Sequence, residues 1–161
     1  MVSIPKYSII AAVAENFVIG NGLKIPWYIP EDFKLFKEKT LDSVVIMGKK
    51  TWDSLPIKPL PNRINIVISD INFQLPESVL LAKSPEDALV KSSKFGKEIF
   101  VIGGASIYKQ TISNANYLYI SHVKGEYEGD ILFPKFNQSD YDIIEEVDYE
   151  KFTFRKYKKK L

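Results

Sequence analysis

The chain has 161 residues, a formal net charge of +2 at pH 7 and no cysteine, which suits one domain with a core large enough to need no staples. The missing thiols exclude disulfides and thiolate metal sites and lend no support to an oxidising compartment, while the small charge supplies no field for nucleic acid. No apolar run approaches the ~20 residues of a membrane span, and the start MVSIPKYSIIAAVA lacks the layout of a signal peptide, so a soluble cytoplasmic protein is expected.

In chain order, YSIIAAVA (7–14) is a nearly continuous apolar run, as in a strand buried on both faces. ENFVIGNGLKIPWYI then reads as a loop loosened by Gly20 and Gly22. A helix is predicted from Pro30 to about Thr40, with proline in the first turn, where its missing N–H is harmless. SVVIM (43–47) is a second buried strand, ending at Gly48 before a short helix, KKTWDSL. The proline-rich LPIKPLPNR (55–63) is too stiff and short to link domains. INIVIS (64–69) and VLLA (79–82) follow as strands. Ser84 caps a helix, with Pro85 at its first position and Glu86 and Asp87 in its first turn. EIFVIGG (98–104) is a fifth strand running into two glycines and the helix ASIYKQTI, and NYLYISHV (116–123) is a sixth. Beyond a loop at EGD, YDIIEEVDY and KFTFRKYKK form a hairpin. Strands alternating with helices predict an α/β fold: a mainly parallel twisted sheet of about eight strands, helices on both faces, and a C-terminal antiparallel hairpin.

That hairpin sets acidic YDIIEEVDYE against basic FRKYKKKL, so the tail reads as a paired face rather than a nucleic-acid patch. Of 22 basic residues only Arg63 and Arg155 are arginine. Each stands out, because only guanidinium grips a carboxylate in a planar fork. In open α/β sheets ligands bind beyond the carboxyl ends of strands, and two strand–glycine–helix junctions qualify. VVIMGKKTW adds Lys49 and Lys50, and FVIGGASIY offers Gly103 and Gly104 for close backbone approach. Both suit phosphate groups, yet neither carries the dinucleotide or P-loop pattern, and glycines serving ordinary tight turns are the alternative. The single histidine, His122, lies in a strand pattern and reads as structural. No metal site or nucleophilic triad is legible.

Asp32 is the outlier. On a helical wheel at ~100° per residue, Phe33, Leu35 and Phe36 form one apolar arc, and Asp32 falls inside it. Lys34, Lys37 and Glu38 lie outside the arc and Glu31 at its edge. An acid in a first turn also suits the helix dipole, so the residues alone leave a structural and a chemical role open.

The order and spacing of IIAAVAENFVIGNGLKIPW, PEDFKLFKEKT, VVIMGKKTW, LPNRINIVIS, FVIGGASIY, LYISHV and EGDILFP resemble the dihydrofolate reductase family over nearly the whole chain. The P-W-x-x-P-x-D-x-x-x-F segment, Pro26 to Phe36, is highly specific for it. The resemblance implies hydride transfer from NADPH to C6 of dihydrofolate, with N5 gaining a proton. Asp32 is then the only ionisable side chain in the pteridine pocket. It would hydrogen-bond the 2-amino group and N3 side of the ring and promote protonation through a water held by Trp27. Ile10, Ala11, Ala12, Phe33, Phe36 and Leu55 are implied to line the pteridine and aminobenzoyl pocket, Thr51 to lie near ring and nicotinamide, and Ser121 to join the hydrogen bonds around Asp32. Arg63 would take the α-carboxylate of the glutamate tail.

By the same resemblance, Ala12, Ile19, Ile102 and Tyr108 surround the nicotinamide. Gly103–Gly104, where the family has a cis peptide, would meet the cofactor near its phosphates, and Gly20, Gly48, Thr51 and Ala105 are implied to be further cofactor contacts. Lys49, with Ser69 and Lys50, would hold the 2′-phosphate and pyrophosphate and favour NADPH over NADH. Residues 20–27 would form a mobile lid steadied by Asp130. A monomer that takes dihydrofolate and antifolate inhibitors, with no nucleic-acid or membrane partner, is implied. Four positions depart from common family patterns: Phe33 where many bacterial members carry Leu, Ser121 for the commoner Thr, Lys49 where Arg is frequent, and Asp70 after Ser69. The last two put the strength of NADP preference in question. A folate- and NADP-binding protein without turnover, or a reductase of this fold acting on a riboflavin precursor, are the alternatives; the latter should lack P-W-x-x-P-x-D.

Overall fold

The computed structural model describes residues 3–22 and 24–161. The chain runs β1 (Ser8–Ala14), β2 (Val18–Gly20), α1 (Pro30–Thr40), β3 (Val44–Gly48), α2 (Lys49–Ser54), β4 (Ile64–Ile68), β5 (Leu80–Ala82), α3 (Pro85–Ser93), β6 (Ile99–Val101), α4 (Ala105–Thr111), β7 (Tyr117–Val123), β8 (Ile131–Leu132), β9 (Tyr141–Asp148) and β10 (Phe152–Lys159). Eight strands form one sheet in the order β5-β4-β3-β6-β1-β7-β10-β9. From β5 to β7 every pairing is parallel, and β10 then runs antiparallel to both β7 and β9. This is the predicted α/β architecture with its terminal hairpin.

The apolar runs explain why the sheet is covered twice. Along β1, Ile9 and Val13 enter one buried cluster while Ile10 and Ala14 enter another, as period-2 alternation requires. Ala88 and Leu89 of α3 and Ile107 and Tyr108 of α4 join the first cluster, and Leu35 of α1 and Trp52 of α2 join the second. The hairpin pairs its charges in register: Arg155 faces Glu146, Lys156 faces Glu145 and Lys158 faces Asp142. Arg155 Nε donates to Glu146 at 2.6 Å. The partner of the basic run is therefore the acidic edge strand beside it.

Two features differ from the sequence expectation. The fifth predicted strand, 98–104, ends at Val101, because two residues on Gly103 takes φ +126°; the Gly103–Gly104 peptide is cis. That φ suits a residue without Cβ and breaks an extended run. A second sheet also forms where only loops were expected: β2 pairs antiparallel with β8, and Phe133 N donates to Phe17 O at 2.8 Å beside them. Strands of three and two residues are too short for alternation to declare them.

Candidate functional site

Asp32 owes its position to the start of α1. Pro30 opens the helix, and Leu35 is buried with Phe36 half-buried beside it, so the apolar arc faces the sheet and takes Asp32 with it. Phe33, counted in the same arc, is 45% exposed and lies beside Tyr28, ring centroids 6.0 Å apart, rather than in the core. Ser121 stands opposite Ala12 across the β1–β7 ladder, and its Oγ donates to Asp32 Oδ1 at 2.6 Å. Burial raises the Asp32 pKa above the ordinary carboxylate value; the Ser121 bond, which favours the charged form, opposes this in part. One hydroxyl leaves most of the carboxylate's acceptor capacity unspent.

Near Asp32, whose charge acts on Tyr108, lies a stretch of the sheet edge set by topology. β6 sits between β1 and β3, and the helices that follow β3 and β6 pack on opposite faces of the sheet. The carboxyl ends of β3 and β6 are thus a switch point, where open α/β sheets hold ligands. Gly48 N donates to Gly103 O there at 2.8 Å. Thr51 Oγ1 lies 3.3 Å from where a Cβ on Gly103 or Gly104 would stand, and Tyr108 Oη lies equally near Gly103. Tyr108 also donates to Ile10 O at 2.8 Å. Burial, reinforced by the charge of Asp32, holds that phenol protonated far above its ordinary pKa, so it remains a donor. The structure thereby gathers Ile10, Gly48, Thr51, Gly103, Gly104 and Tyr108 at one place. Ala105 opens α4 immediately beyond. Ala12, Phe36, Leu55 and Ile102 border the second cluster on the Asp32 side, whereas Ala11 and Ile19 border the first.

The cations are more committed than the sequence suggested. Lys49 Nζ sits 2.9 Å from Asp53 Oδ2 and 4.9 Å from the centre of the Phe73 ring. Lys50 is exposed. Ser69 Oγ donates to Ile71 O at 2.9 Å and accepts from Ile71 N at 3.2 Å, closing a local turn. Arg63 Nε donates to Pro61 O at 2.9 Å and Nη1 to Thr40 Oγ1 at 3.1 Å. Those bonds seat Arg63 at the last residue of α1, eight residues from Asp32, or about 12 Å along the helix axis.

The segment predicted as a lid includes Leu23, which lies outside the described residues. Around it, Trp27 is buried with its ring edge-on to Tyr127 at 5.1 Å. Gly22 N donates to Asp130 Oδ1 at 3.0 Å, and Gly20 belongs to β2. His122 points away from Asp32, because neighbours along β7 alternate faces. Its Nε2 meets Tyr157 Oη at 2.8 Å, and burial, followed by the Arg155 charge, pushes its pKa down to about 4. Sequence reasoning missed Thr40, Asp53, Phe73 and Tyr127. Asp53 was within reach, since it lies four residues after Lys49 on one short helix. Phe73 and Tyr127 sit in irregular segments that no periodicity places.

Fold and site together define an α/β protein with a switch point at the carboxyl ends of β3 and β6 of a mainly parallel sheet and a half-buried carboxylate, Asp32, near it. The chain belongs to the dihydrofolate reductase family, whose model matches residues 6–160. It is 46% identical over 134 residues to the dihydrofolate reductase of Buchnera aphidicola subsp. Acyrthosiphon pisum, covering 83% of this chain and 82% of that one. It is 44% identical over 143 residues to the dihydrofolate reductase of Neisseria meningitidis serogroup A, covering 89% and 88%. Among solved structures, the dihydrofolate reductase from Enterococcus faecalis, complexed with NADP(H) and RAB-propyl, superposes with a TM-score of 0.86 over 100% of both chains at 30% identity.

Proposed function

We propose that the protein reduces 7,8-dihydrofolate to 5,6,7,8-tetrahydrofolate with NADPH, hydride passing to C6 and a proton to N5. NADPH supplies the hydride. The residues present suit such a cofactor: Gly103 and Gly104 leave bare backbone beside Thr51 and Tyr108, a cradle that a Cβ would begin to fill. Ala12, Ile19, Gly20, Ile102, Ala105 and Tyr108 would enclose the nicotinamide end, and Gly48, Lys49, Lys50 and Ser69 the phosphates. On the substrate side, Ile10, Ala11, Ala12, Phe33, Phe36, Thr51 and Leu55 would form the wall of the ring pocket and exclude bulk water. Asp32, steadied by Ser121, would accept from the 2-amino group and N3 side of the pteridine. It would favour protonation of N5 through a water that Trp27 helps hold. Arg63, about 12 Å along α1 from Asp32, suits the far end of an elongated substrate, and its uncommitted N–H groups would take the α-carboxylate.

The observation that carries this reading is the half-buried Asp32 carboxylate with its hydroxyl partner, Ser121, near the switch point of the sheet. The test is oxidation of NADPH by purified protein with dihydrofolate, beside Asp32→Asn. A loss of about 10²-fold or more is expected at neutral pH, with partial recovery in acid, where substrate arrives already protonated. A neutral-pH rate within a few-fold of wild type would remove Asp32 from proton delivery, and tight binding of both ligands without turnover would leave a binding protein. We further propose one domain acting as a cytoplasmic monomer that antifolates would inhibit. The small net charge and the pairing of the basic tail with β9 support the absence of a nucleic-acid partner. Among the described residues no helix is long and apolar enough to cross a membrane.

A further inference from the structure

We propose that a cavity on the face of the sheet opposite Asp32 is a second small-molecule site, which takes an uncharged aromatic ligand carrying a carbonyl acceptor. Its volume is about 330 Å³. Ligand pockets run from ~300 Å³ upward, so one ring with a short substituent suits it. Val13 of β1 and Ile120 of β7 give it an apolar lining, joined by Phe133 and Phe136 from the segment after β8. Those two rings are 6.2 Å apart and 87° from coplanar, an edge-to-face pair against which a further aromatic ring packs favourably. Tyr108 lies 5.1 Å from Phe133, centroid to centroid, but is not part of the lining, so the cavity is separate from the switch point.

The polar lining selects the ligand's other end. Arg155 donates through Nε to Glu146 at 2.6 Å and shares the Tyr157 phenol, which leaves guanidinium N–H groups unspent. His122 Nε2 meets the same phenol at 2.8 Å. A phenol that accepts from Arg155 turns its own hydrogen toward Nε2, so Nδ1 carries the ring proton and is a donor. Nδ1 has no protein partner, and among the described residues no buried side-chain nitrogen or oxygen lacks one. It therefore opens on accessible space, which at this residue is the cavity. Burial keeps the imidazole neutral at pH 7. The cations of the lining already have their acids, Arg155 in Glu146 and Lys124 in Asp148 at 3.1 Å. Glu15, also in the lining, accepts from Gly125 N and forms no ion pair among the described residues. An added anion would meet that carboxylate uncompensated. Unspent donors without surplus positive charge suit a neutral acceptor.

The experiment is an NMR titration of the full chain with three probes of one size: acetophenone, ethylbenzene and benzoate. Acetophenone is expected to shift the resonances of Val13, Ile120, Phe133 and His122 saturably. It should bind about three- to tenfold tighter than ethylbenzene, the scale of a net hydrogen bond, and tighter than benzoate. Arg155→Met and His122→Leu, made separately so that one folded variant suffices, should hold ethylbenzene within a few-fold of wild type while the advantage of acetophenone disappears. A purely structural role for either residue would weaken both probes alike. Any of four results would overturn the proposal: shifts that do not saturate, ethylbenzene binding as tightly as acetophenone, benzoate binding tighter than either, or an advantage that survives in both variants. Shifts centred on Ile10, Thr51 and Tyr108 would overturn it too, by placing the probe at the switch point.

Discussion

Asp32 and Ser121 lie 89 residues apart and meet through one 2.6 Å hydrogen bond. The helical wheel found the acid from its immediate neighbours. It could not find the hydroxyl, because the face Ser121 presents is decided by how β7 pairs with β1, a long-range choice. The bond has a readable consequence. It opposes the desolvation that raises the Asp32 pKa, so Ser121→Ala is expected to raise that pKa further, because the bond favours the charged carboxylate. Ser121→Thr should restore it. Carbon-detected titration of the Asp32 carboxyl measures this directly, and an unmoved titration in Ser121→Ala would mean the bond does not act on the charge. Arg63 carries a second expectation at this scale. Because lysine has no planar fork, Arg63→Lys should raise the KM for dihydrofolate about tenfold while kcat changes little. If only NADPH affinity moved, Arg63 would belong to the other ligand.

The elements were legible in proportion to their length. β1, β3, β4 and β7 announce themselves as long apolar runs and α3 by its cap, in which Ser84 Oγ accepts from Asp87 N at 3.0 Å. The pairing of β2 with β8 was not legible, since neither strand is long enough to alternate. Yet this small sheet anchors the segment before Trp27. Gly129 lies against it so closely that a Cβ would collide with the Gly20 carbonyl and the Val18 side chain. Asp130 next to it takes the Gly22 N–H. Gly129→Ala should therefore push β2 off β8, at a cost of about 1–3 kcal/mol. Asp130→Ala should cost less, about 0.5–1.5 kcal/mol, because its bond is exposed. Amide exchange at Val18 and Gly20 is the measurement. Faster exchange in Gly129→Ala than in Asp130→Ala is expected, and unchanged protection in Gly129→Ala would show that β2 can yield without cost.

Across the whole molecule, stability between about pH 4 and 6.5 should reflect two buried groups of opposite sign. His122 has its pKa lowered from 6.5 to about 4, first by burial and then by Arg155. In that window the unfolded chain binds more protons than the folded one, so His122 makes stability fall as pH falls. The full interval corresponds to roughly 3 kcal/mol, and because part of the ring meets solvent the realised effect should be about 1–2 kcal/mol. Asp32 works the other way. Its folded pKa is raised above 3.8, so the folded chain holds the extra proton, and stability rises as pH falls through that raised value. The carboxyls held low, Asp87 chiefly by the Lys83 backbone N–H and Asp148 chiefly by the Thr153 hydroxyl, act only nearer pH 4 and below. The wild-type profile should consequently be flatter than either group alone dictates. Asp32→Asn removes the opposing slope. Free of ligand, it should melt about 2–4 °C above wild type at pH 7–8, where the buried charge is costliest, and then lose stability more steeply on acidification. His122→Gln should do the reverse, holding or gaining stability from pH 6.5 down toward 4. Urea midpoints for the three proteins across pH 4–8 decide it. Parallel profiles would mean that neither group carries its charge into the fold, and with that the costly half-buried carboxylate would lose its physical basis.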